Sequence, residues 1–201
     1  MFYALITIGL IVVSAFVFLP RFRTVTERYS LGVNFFLTLI ATLVGVLIAI
    51  LISNYEQAKK ETADVVKLLH ASIASIETCH QYSEALVEFY QELDDKDALK
   101  PQFYGKNPPP YPVYIDSLLT QNIVSKNLSE STLSDLNELV INLHRSRSHP
   151  ALYIKVLEQI AALIRFEIQY QQGDISQTEL VEKAGTLKNQ LEFNATLLAN
   201  W

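Results

Sequence analysis

The residues best suited to binding chemistry form one short polar run between two predicted helices. The run consists of His144, Arg145, Ser146, Arg147, Ser148 and His149. Guanidinium groups match the geometry of phosphate oxygens, and the serine hydroxyls and the start of the next helix add further donors. Histidine can donate to a phosphate or stack on a nucleobase. The run therefore fits either a phosphate-binding site or an ordinary solvated turn, and the sequence alone favours neither.

The sequence contains none of the common motifs that identify an enzymatic reaction. It contains no glycine-rich phosphate loop, no His-Glu-x-x-His and no Gly-x-Ser-x-Gly. Glu77 and His80 form one Glu-x-x-His pair, whereas a di-iron helical bundle needs two such pairs and further carboxylates. Cys79 is the single cysteine, so no intramolecular disulfide can form, and a buried structural thiol is expected. We therefore expect a protein that is not an enzyme and that uses no metal or cofactor.

The chain begins with two apolar stretches, Met1–Leu19 and Leu31–Ser53, which contain no charged residue and no histidine. A bilayer core about 30 Å thick is crossed by roughly 20 apolar helical residues, close to the length of each stretch. Backbone polar groups find no water inside lipid, so both stretches are expected to be helical. The sequence thus predicts a transmembrane two-helix hairpin over residues 1–53.

Small residues recur at every fourth position of the second apolar stretch, which places them on one helix face. They are Ala41, Gly45, Ala49 and Ser53. Such rows let helix backbones approach closely in lipid. The row is therefore a predicted seam, either between copies of the chain or against the first span.

The distribution of basic residues leaves the membrane orientation open. Lysines and arginines close to a span favour the cytoplasmic side. The connector over residues 20–30 carries three arginines, at positions 21, 23 and 28, and the flank after the second span carries lysines at positions 59, 60 and 67. The arginines are denser and nearer the spans, so the rule leans slightly toward a cytoplasmic connector.

Residues 54–201 are predicted to form a soluble, all-α domain, because no segment shows the alternation of a strand. Apolar residues near the helical spacing mark the first inner face: Val65, Leu69, Ile73, Ile76, Leu86, Tyr90 and Leu93. The proline-rich segment 101–112 is predicted to be an ordered connector rather than a ligand for a partner domain.

Capping and proline signals divide the rest of this domain into helices. A short helix spans Tyr114 to Gln121, and Ser129 or Ser131 caps the next one. Pro150 suits the first turn of a third helix, and Ser176 with Glu179 forms a capping box for the last. Leu180, Val181, Ala184, Leu187 and Leu191 are its predicted inner face. The expected architecture is a bundle of four long helices and one short one.

This layout of two spans, Met1–Ser53, and a helical head, Asn54–Trp201, without a catalytic motif resembles a known family. It is similar to the small two-span membrane effectors of type III CRISPR systems, whose helical domain binds cyclic tetra-adenylate. The resemblance implies a homo-oligomer, with a tetramer expected, around one cyclic oligoadenylate. It also implies that binding rearranges the spans and damages the membrane of an infected cell.

Residue chemistry, rather than a family motif, makes residues 144–149 the expected phosphate contact. The resemblance implies a multi-pass protein of the bacterial inner membrane with a cytoplasmic head. That orientation puts the arginine-bearing connector outside, against the slight lean of the charge rule.

Two alternatives stay open beside this hypothesis. The first is a membrane-anchored periplasmic helical module that binds a protein partner. The second is a holin-like pore former, whose head is an assembly scaffold and which needs no small-molecule trigger. All three interpretations place the chain in a lipid bilayer, and the net charge of −5 argues against a partner such as DNA.

Overall fold

The computed structural model describes residues 2–16 and 28–199, and over these residues the chain is all-α with no strand, as predicted. The described residues include eight helices: α1 (Phe2–Phe16), α2 (Ser30–Glu92), α3 (Phe103–Lys106), α4 (Tyr114–Thr120), α5 (Asn122–Asn127), α6 (Glu130–Arg145), α7 (Pro150–Gln172) and α8 (Gln177–Ala199). Short 3-10 turns span Lys100–Gln102 and Ser146–Ser148. The chain divides into two compact units, residues 1–60 and residues 61–201.

Helix α2 contains an apolar segment that is long enough to cross a membrane. This segment is only 11% buried, whereas the core helix of a soluble protein would be mostly buried. Helix α1 has 15 residues, too few to meet the same test of length. Residues 17–27, which include the end of the first apolar stretch, Arg21 and Arg23, lie outside the described residues. The described part therefore gives one long apolar helix and not a complete hairpin.

Within the first unit, α2 presents a packing seam to α1. Its less exposed positions recur at alternating spacings of four and three, the pattern of a helix–helix contact. These positions are Val33, Leu37, Ile40, Val44, Leu47 and Leu51. Ile11 and Ser14 of α1 line one cavity of about 320 Å³ together with Leu37, Ile40, Ala41 and Val44 of α2. Helix α1 thus lies beside the seam.

The second unit is a bundle in which α7 contacts both α6 and α8. The first inner face of α2 is confirmed: Val65, Leu69, Ile73 and Ile76 are buried, and Leu86, Tyr90 and Leu93 are half-buried. Helix α7 buries Tyr153, Leu157, Ile160 and Ile164 completely, which explains its largely apolar sequence. Gly173 ends α7 in the left-handed conformation, at φ 82°, which a glycine adopts without steric strain.

The structure corrects the predicted bundle in three places. The short helices α3 and α5 are additional, and α3 has only four residues, so its side-chain pattern is too short to detect. Tertiary packing stabilises α3, because the buried Phe103 ring stacks on the ring of Phe89 with centroids 5.6 Å apart. Val181 is 49% exposed, since Leu180, Ala184 and Leu187 already form the inward face. The side chain of Leu191 lies outside the described part.

The predicted helix caps are largely confirmed. Ser129, rather than Ser131, caps α6, because its hydroxyl accepts a hydrogen bond from the backbone N–H of Thr132 at 3.3 Å. In the capping box of α8, the backbone N–H of Ser176 donates to Glu179 at 2.7 Å, and the Ser176 hydroxyl donates to the same carboxylate at 2.9 Å. These bonds lower the pKa of Glu179. The two caps fix where α6 and α8 begin.

A fully buried glutamate, Glu167 of α7, ties α7 to the start of α6. Its side chain is 0% exposed, and four donors surround it. They are the Ser129 backbone N–H at 3.1 Å, the Ser129 hydroxyl at 2.8 Å, the Thr132 hydroxyl at 2.6 Å and the Gln171 amide at 2.8 Å. A buried polar group is tolerated when it is bonded in this way, and a negative group suits the positive end of a helix dipole.

Replacing Glu167 with Ala is expected to lower the free energy of unfolding by about 3 kcal/mol, because several buried donors lose their acceptor at once. The measurement is urea unfolding of the full chain in mild detergent, followed by circular dichroism. Glu182→Ala on the exposed face of α8 is the matched control and should change stability by less than about 0.5 kcal/mol. Equal effects of the two substitutions would contradict this role for Glu167.

Candidate functional site

The polar run 144–149, here called the basic turn, connects α6 to α7 at the surface of the second unit. Helix α6 supplies His144 and Arg145, and the 3-10 turn supplies Arg147 and Ser148, all of them exposed. His149, also exposed, precedes Pro150 at the first turn of α7. The structure therefore brings five of the six predicted residues to one accessible turn.

The sixth residue, Ser146, faces inward. It is 2% exposed, and its hydroxyl donates to the carbonyl oxygen of Leu143 at 3.1 Å. Its backbone carbonyl accepts a hydrogen bond from the N–H of His149 at 2.8 Å. Ser146 thus closes the turn, and its hydroxyl is already used within the chain.

The proline-rich segment packs against the basic turn, as expected of an ordered connector. The Tyr111 ring stacks on the ring of His144 with centroids 4.5 Å apart and an angle of 24°. The guanidinium of Arg147 donates to the carbonyl oxygen of Pro109 at 3.4 Å, and the Tyr153 hydroxyl donates to that of Pro110 at 2.7 Å. These contacts fix the conformation of the turn. No sequence pattern indicates the Tyr111–His144 pair, because the two residues come from different segments.

The tyrosines behind the basic turn remain neutral. Burial raises the pKa of Tyr111 well above its ordinary value, and the hydrogen bond from its hydroxyl to Asp116, at 2.7 Å, adds to the shift. Burial likewise raises the pKa of Tyr153. The positive charge of Arg147 opposes both shifts without reversing them. No phenolate therefore forms here to cancel the positive charge of the turn.

The basic turn offers several donors for an anion. In the described part of the chain, Arg145 has no hydrogen bond or ion pair, and Arg147 has only its long contact with Pro109. The first hydrogen bond within α7 runs from the N–H of Tyr153 to the carbonyl of His149, so the N–H groups of Ala151 and Leu152 precede it. Two guanidinium groups beside a helix N-terminus have the chemistry of a phosphate site.

The polar side chains Glu77, His80 and Arg165 of α2 and α7 already have protein partners. Arg165 contacts Glu77 at 2.6 Å, and both side chains are about half exposed. His80 lies between Glu84 at 3.2 Å and Glu158 at 3.3 Å. No group of metal-ligating side chains occurs among the described residues. Glu77 and His80 are thus surface residues with protein partners, as the sequence indicates.

The small-residue row of α2 is exposed within a single chain. Ala41, Gly45, Ala49 and Ser53 are all accessible, and a Cβ atom added at Gly45 would meet no atom within 4 Å. The contact with α1 uses the separate seam of larger residues, with only Ala41 at its edge. The row therefore stays a predicted seam, either between copies of the chain or against the first span, where Ala41 already borders the contact.

Comparisons of this chain with protein-family models, with curated proteins and with solved structures found no match. The site is therefore defined by its own geometry. That geometry is an exposed, positively charged turn with one aromatic stack, held rigid by a packed proline-rich segment.

Cys79 is expected to react slowly with a maleimide in the folded chain. It is 8% exposed, and burial raises the pKa of its thiol, so both access and the thiolate fraction are low. Labelling should be at least about tenfold faster after denaturation. A Ser148→Cys substitution in a Cys79→Ser background is the exposed control and should label rapidly when folded. Fast native labelling of Cys79 would contradict its burial.

Replacing Gly45 with Leu is expected to weaken association of the chain in a membrane without disturbing the single chain, because the site is open within one copy. The measurement is crosslinking in lipid vesicles, and a several-fold loss of crosslinked species is expected. Gly32→Leu, at another open position of α2, is the matched control. The seam prediction fails if both variants crosslink as well as the original chain.

Proposed function

We propose that this chain is a non-enzymatic membrane effector whose helical head binds a cyclic oligoadenylate at the basic turn and then disrupts the membrane. The observation that carries the proposal is the exposed pair Arg145 and Arg147 on a rigid turn beside the start of α7. Such a site suits the phosphates of a nucleotide. The Tyr111–His144 stack adds an aromatic surface, which suits a nucleobase.

The membrane part of the proposal is supported by the apolar segment of α2. Under this proposal the two apolar stretches, Met1–Leu19 and Leu31–Ser53, form the two-helix hairpin with residues 20–30 as its connector, and the chain is a multi-pass protein of the inner membrane. The seam between α1 and α2 supports the pairing of these helices. The head then lies in the cytoplasm, where a nucleotide messenger is made.

Symmetry connects the ligand to the membrane. A cyclic ligand of repeated units fits a ring of identical heads, of which a tetramer matches cyclic tetra-adenylate. The ligand can shift this assembly only through its preference for one arrangement of the heads. Because α2 is one unbroken helix from Ser30 to Glu92, a shift in the head acts on the same helix that carries the apolar segment.

A second candidate function, a membrane-anchored module for a protein partner, is supported by a different surface. An apolar groove of about 470 Å³ lies at the end of α2, lined by Leu86, Phe89, Leu93, Leu99 and Phe103. Phe89 and Leu99 are 53% and 54% exposed. Exposed apolar patches of this kind often mark protein contacts. A reporter fused after Trp201 separates the periplasmic version of this candidate from the proposal, which requires a cytoplasmic C-terminus.

The double substitution Arg145→Ala and Arg147→Ala is expected to weaken binding of cyclic tetra-adenylate by about 100-fold, because two charge-assisted hydrogen bonds are lost. The measurement is isothermal titration of the full chain in detergent micelles. Arg165→Ala is the matched control, since this arginine is also exposed but pairs with Glu77. It should leave the affinity unchanged.

Two outcomes would contradict the proposal in different ways. Unchanged affinity in the double variant, with the original chain binding well, would move the ligand away from the basic turn. Failure of the original chain to bind any cyclic oligoadenylate would remove the nucleotide altogether. Membrane damage on expression alone, without nucleotide, would instead favour the holin-like alternative.

A further inference from the structure

The end of α5 and the start of α6 meet in a corner, residues 126–132, that is hydrogen-bonded to both α2 and α7. The Leu128 side chain at its centre is 7% exposed and packs into the core of the second unit. Lys126 and Asn127 belong to α5, and Ser129 is the N-cap of α6. The proposed function above places the ligand at the other end of α6 and makes no use of this corner.

On one side, the corner contacts Glu61 of α2. The Nζ atom of Lys126 donates to Oε2 of Glu61 at 2.9 Å, and the Nδ2 atom of Asn127 donates to the same oxygen at 3.5 Å. The Glu61 side chain is 21% exposed, so its carboxylate is largely shielded from water although Lys126 is exposed. Glu61 is also the first residue of the second unit, and it comes eight residues after Ser53, the end of the second apolar stretch.

On the other side, Gln171 of α7 contacts the corner with its side-chain amide. Its Nε2 atom donates to the backbone carbonyl of Asn127 at 2.7 Å and to Oε1 of Glu167 at 2.8 Å. A glutamine amide has two N–H donors, and both are used here. Glu167 in turn accepts hydrogen bonds from Ser129 and Thr132 at the start of α6. Gln171 therefore joins the last residue of α5 to the carboxylate that positions α6.

These contacts connect the basic turn to α2 by way of α6. Helix α6 has 16 residues, about 24 Å of helix, with the corner at one end and the basic turn at the other. Hydrogen bonds are directional, and a half-satisfied buried network is unfavourable, so the corner moves together with its partners. A displacement of α6 at the basic turn therefore also acts on the contact between Lys126 and Glu61.

Two other polar contacts of α2 do not involve α6. Glu77 and His80 pair with residues of α7, and they lie about four and five helical turns after Glu61. The contact of Glu61 with the corner is thus closer in the chain to the apolar stretch, and it is the one that leads to the helix that carries Arg145.

We propose that the corner between α5 and α6 couples a ligand at the basic turn to α2 through Gln171 and Glu61, an inference that rests on the proposed function. Ligand binding shifts α6, the corner follows, and the Lys126–Glu61 contact transfers the shift to α2. Gln171 and Glu61 are positioning residues and do not touch the ligand. Coupling between two sites requires an element whose arrangement both sites bias, and the corner is this element.

The first test compares ligand affinity with membrane leakage for the full chain in vesicles that contain a fluorescent dye. Gln171→Met keeps the length of the side chain and removes both N–H donors. We expect dye release at saturating cyclic tetra-adenylate to slow by at least about tenfold, while the affinity falls by less than about threefold. The affinity persists because an uncoupled head binds the ligand without having to shift α2. Gln172→Met, at the exposed neighbouring position, is the matched control and should change neither quantity.

The second test needs no ligand. Glu61→Gln should speed hydrogen exchange by at least about threefold in peptides that cover the start of α6, because the corner loses part of its contact with α2. The measurement is mass spectrometry of the full chain in the same vesicles. Glu56→Gln, at an exposed position of α2 five residues earlier, is the matched control and should leave the exchange unchanged.

The outcomes separate this inference from the proposed function. Unchanged exchange in the Glu61→Gln variant would overturn the coupling, whether or not the chain binds a nucleotide. Unchanged dye release in a folded Gln171→Met variant would also overturn it, and so would an equal loss of affinity and of release. If the original chain binds no cyclic oligoadenylate, the proposed function fails, and the exchange result alone decides whether the corner links α6 to α2. Thermal unfolding of each variant verifies that the fold persists.

Discussion

The position of α6 depends on the buried carboxylate of Glu167. Four donors from α7 and from the start of α6 converge on it, so it fixes where α6 begins relative to α7. A buried glutamate is unfavourable unless it is bonded, and the same bonds therefore resist any slip of one helix along the other. Because α6 is continuous to Arg145, its start also sets the location of the basic turn.

At the C-terminal end of α6, most polar groups of the basic turn are exposed rather than buried. The proline-rich segment supplies two backbone carbonyls and one aromatic ring to this region. The carbonyls accept hydrogen bonds from Arg147 and Tyr153, and the ring stacks on His144. Arg145, Ser148 and His149 remain accessible. A rigid turn with accessible cations loses little conformational entropy when an anion binds, which is the general advantage of a preorganised site. Buried hydrogen bonds thus set the position of the turn, while several of its donors stay exposed.

The apolar segment of α2 presents two different sets of residues for contacts. Its larger residues form the seam beside α1, while the small-residue row remains open on the surface of the single chain. In lipid, helices associate through close packing rather than through burial from water, so small residues and large residues suit different contacts. An open small-residue row on an apolar helix is what the proposed contact between copies would require.

The sequence by itself determined the all-α class, the apolar segment of α2 and the first inner face of α2, because these follow from local periodicity and from the absence of charge. It also predicted the cap at Ser176 and narrowed the other cap to Ser129 or Ser131, because the hydrogen bonds of such caps join residues three apart; the structure selects Ser129. The tertiary structure alone decided the rest. The Tyr111–His144 stack, the hydrogen bonds to Glu167 and the bond from the Gln159 amide to the Leu187 carbonyl each join segments that are distant in the chain. Helical periodicity records which face of a helix is buried, but it carries no information about which partner that face meets.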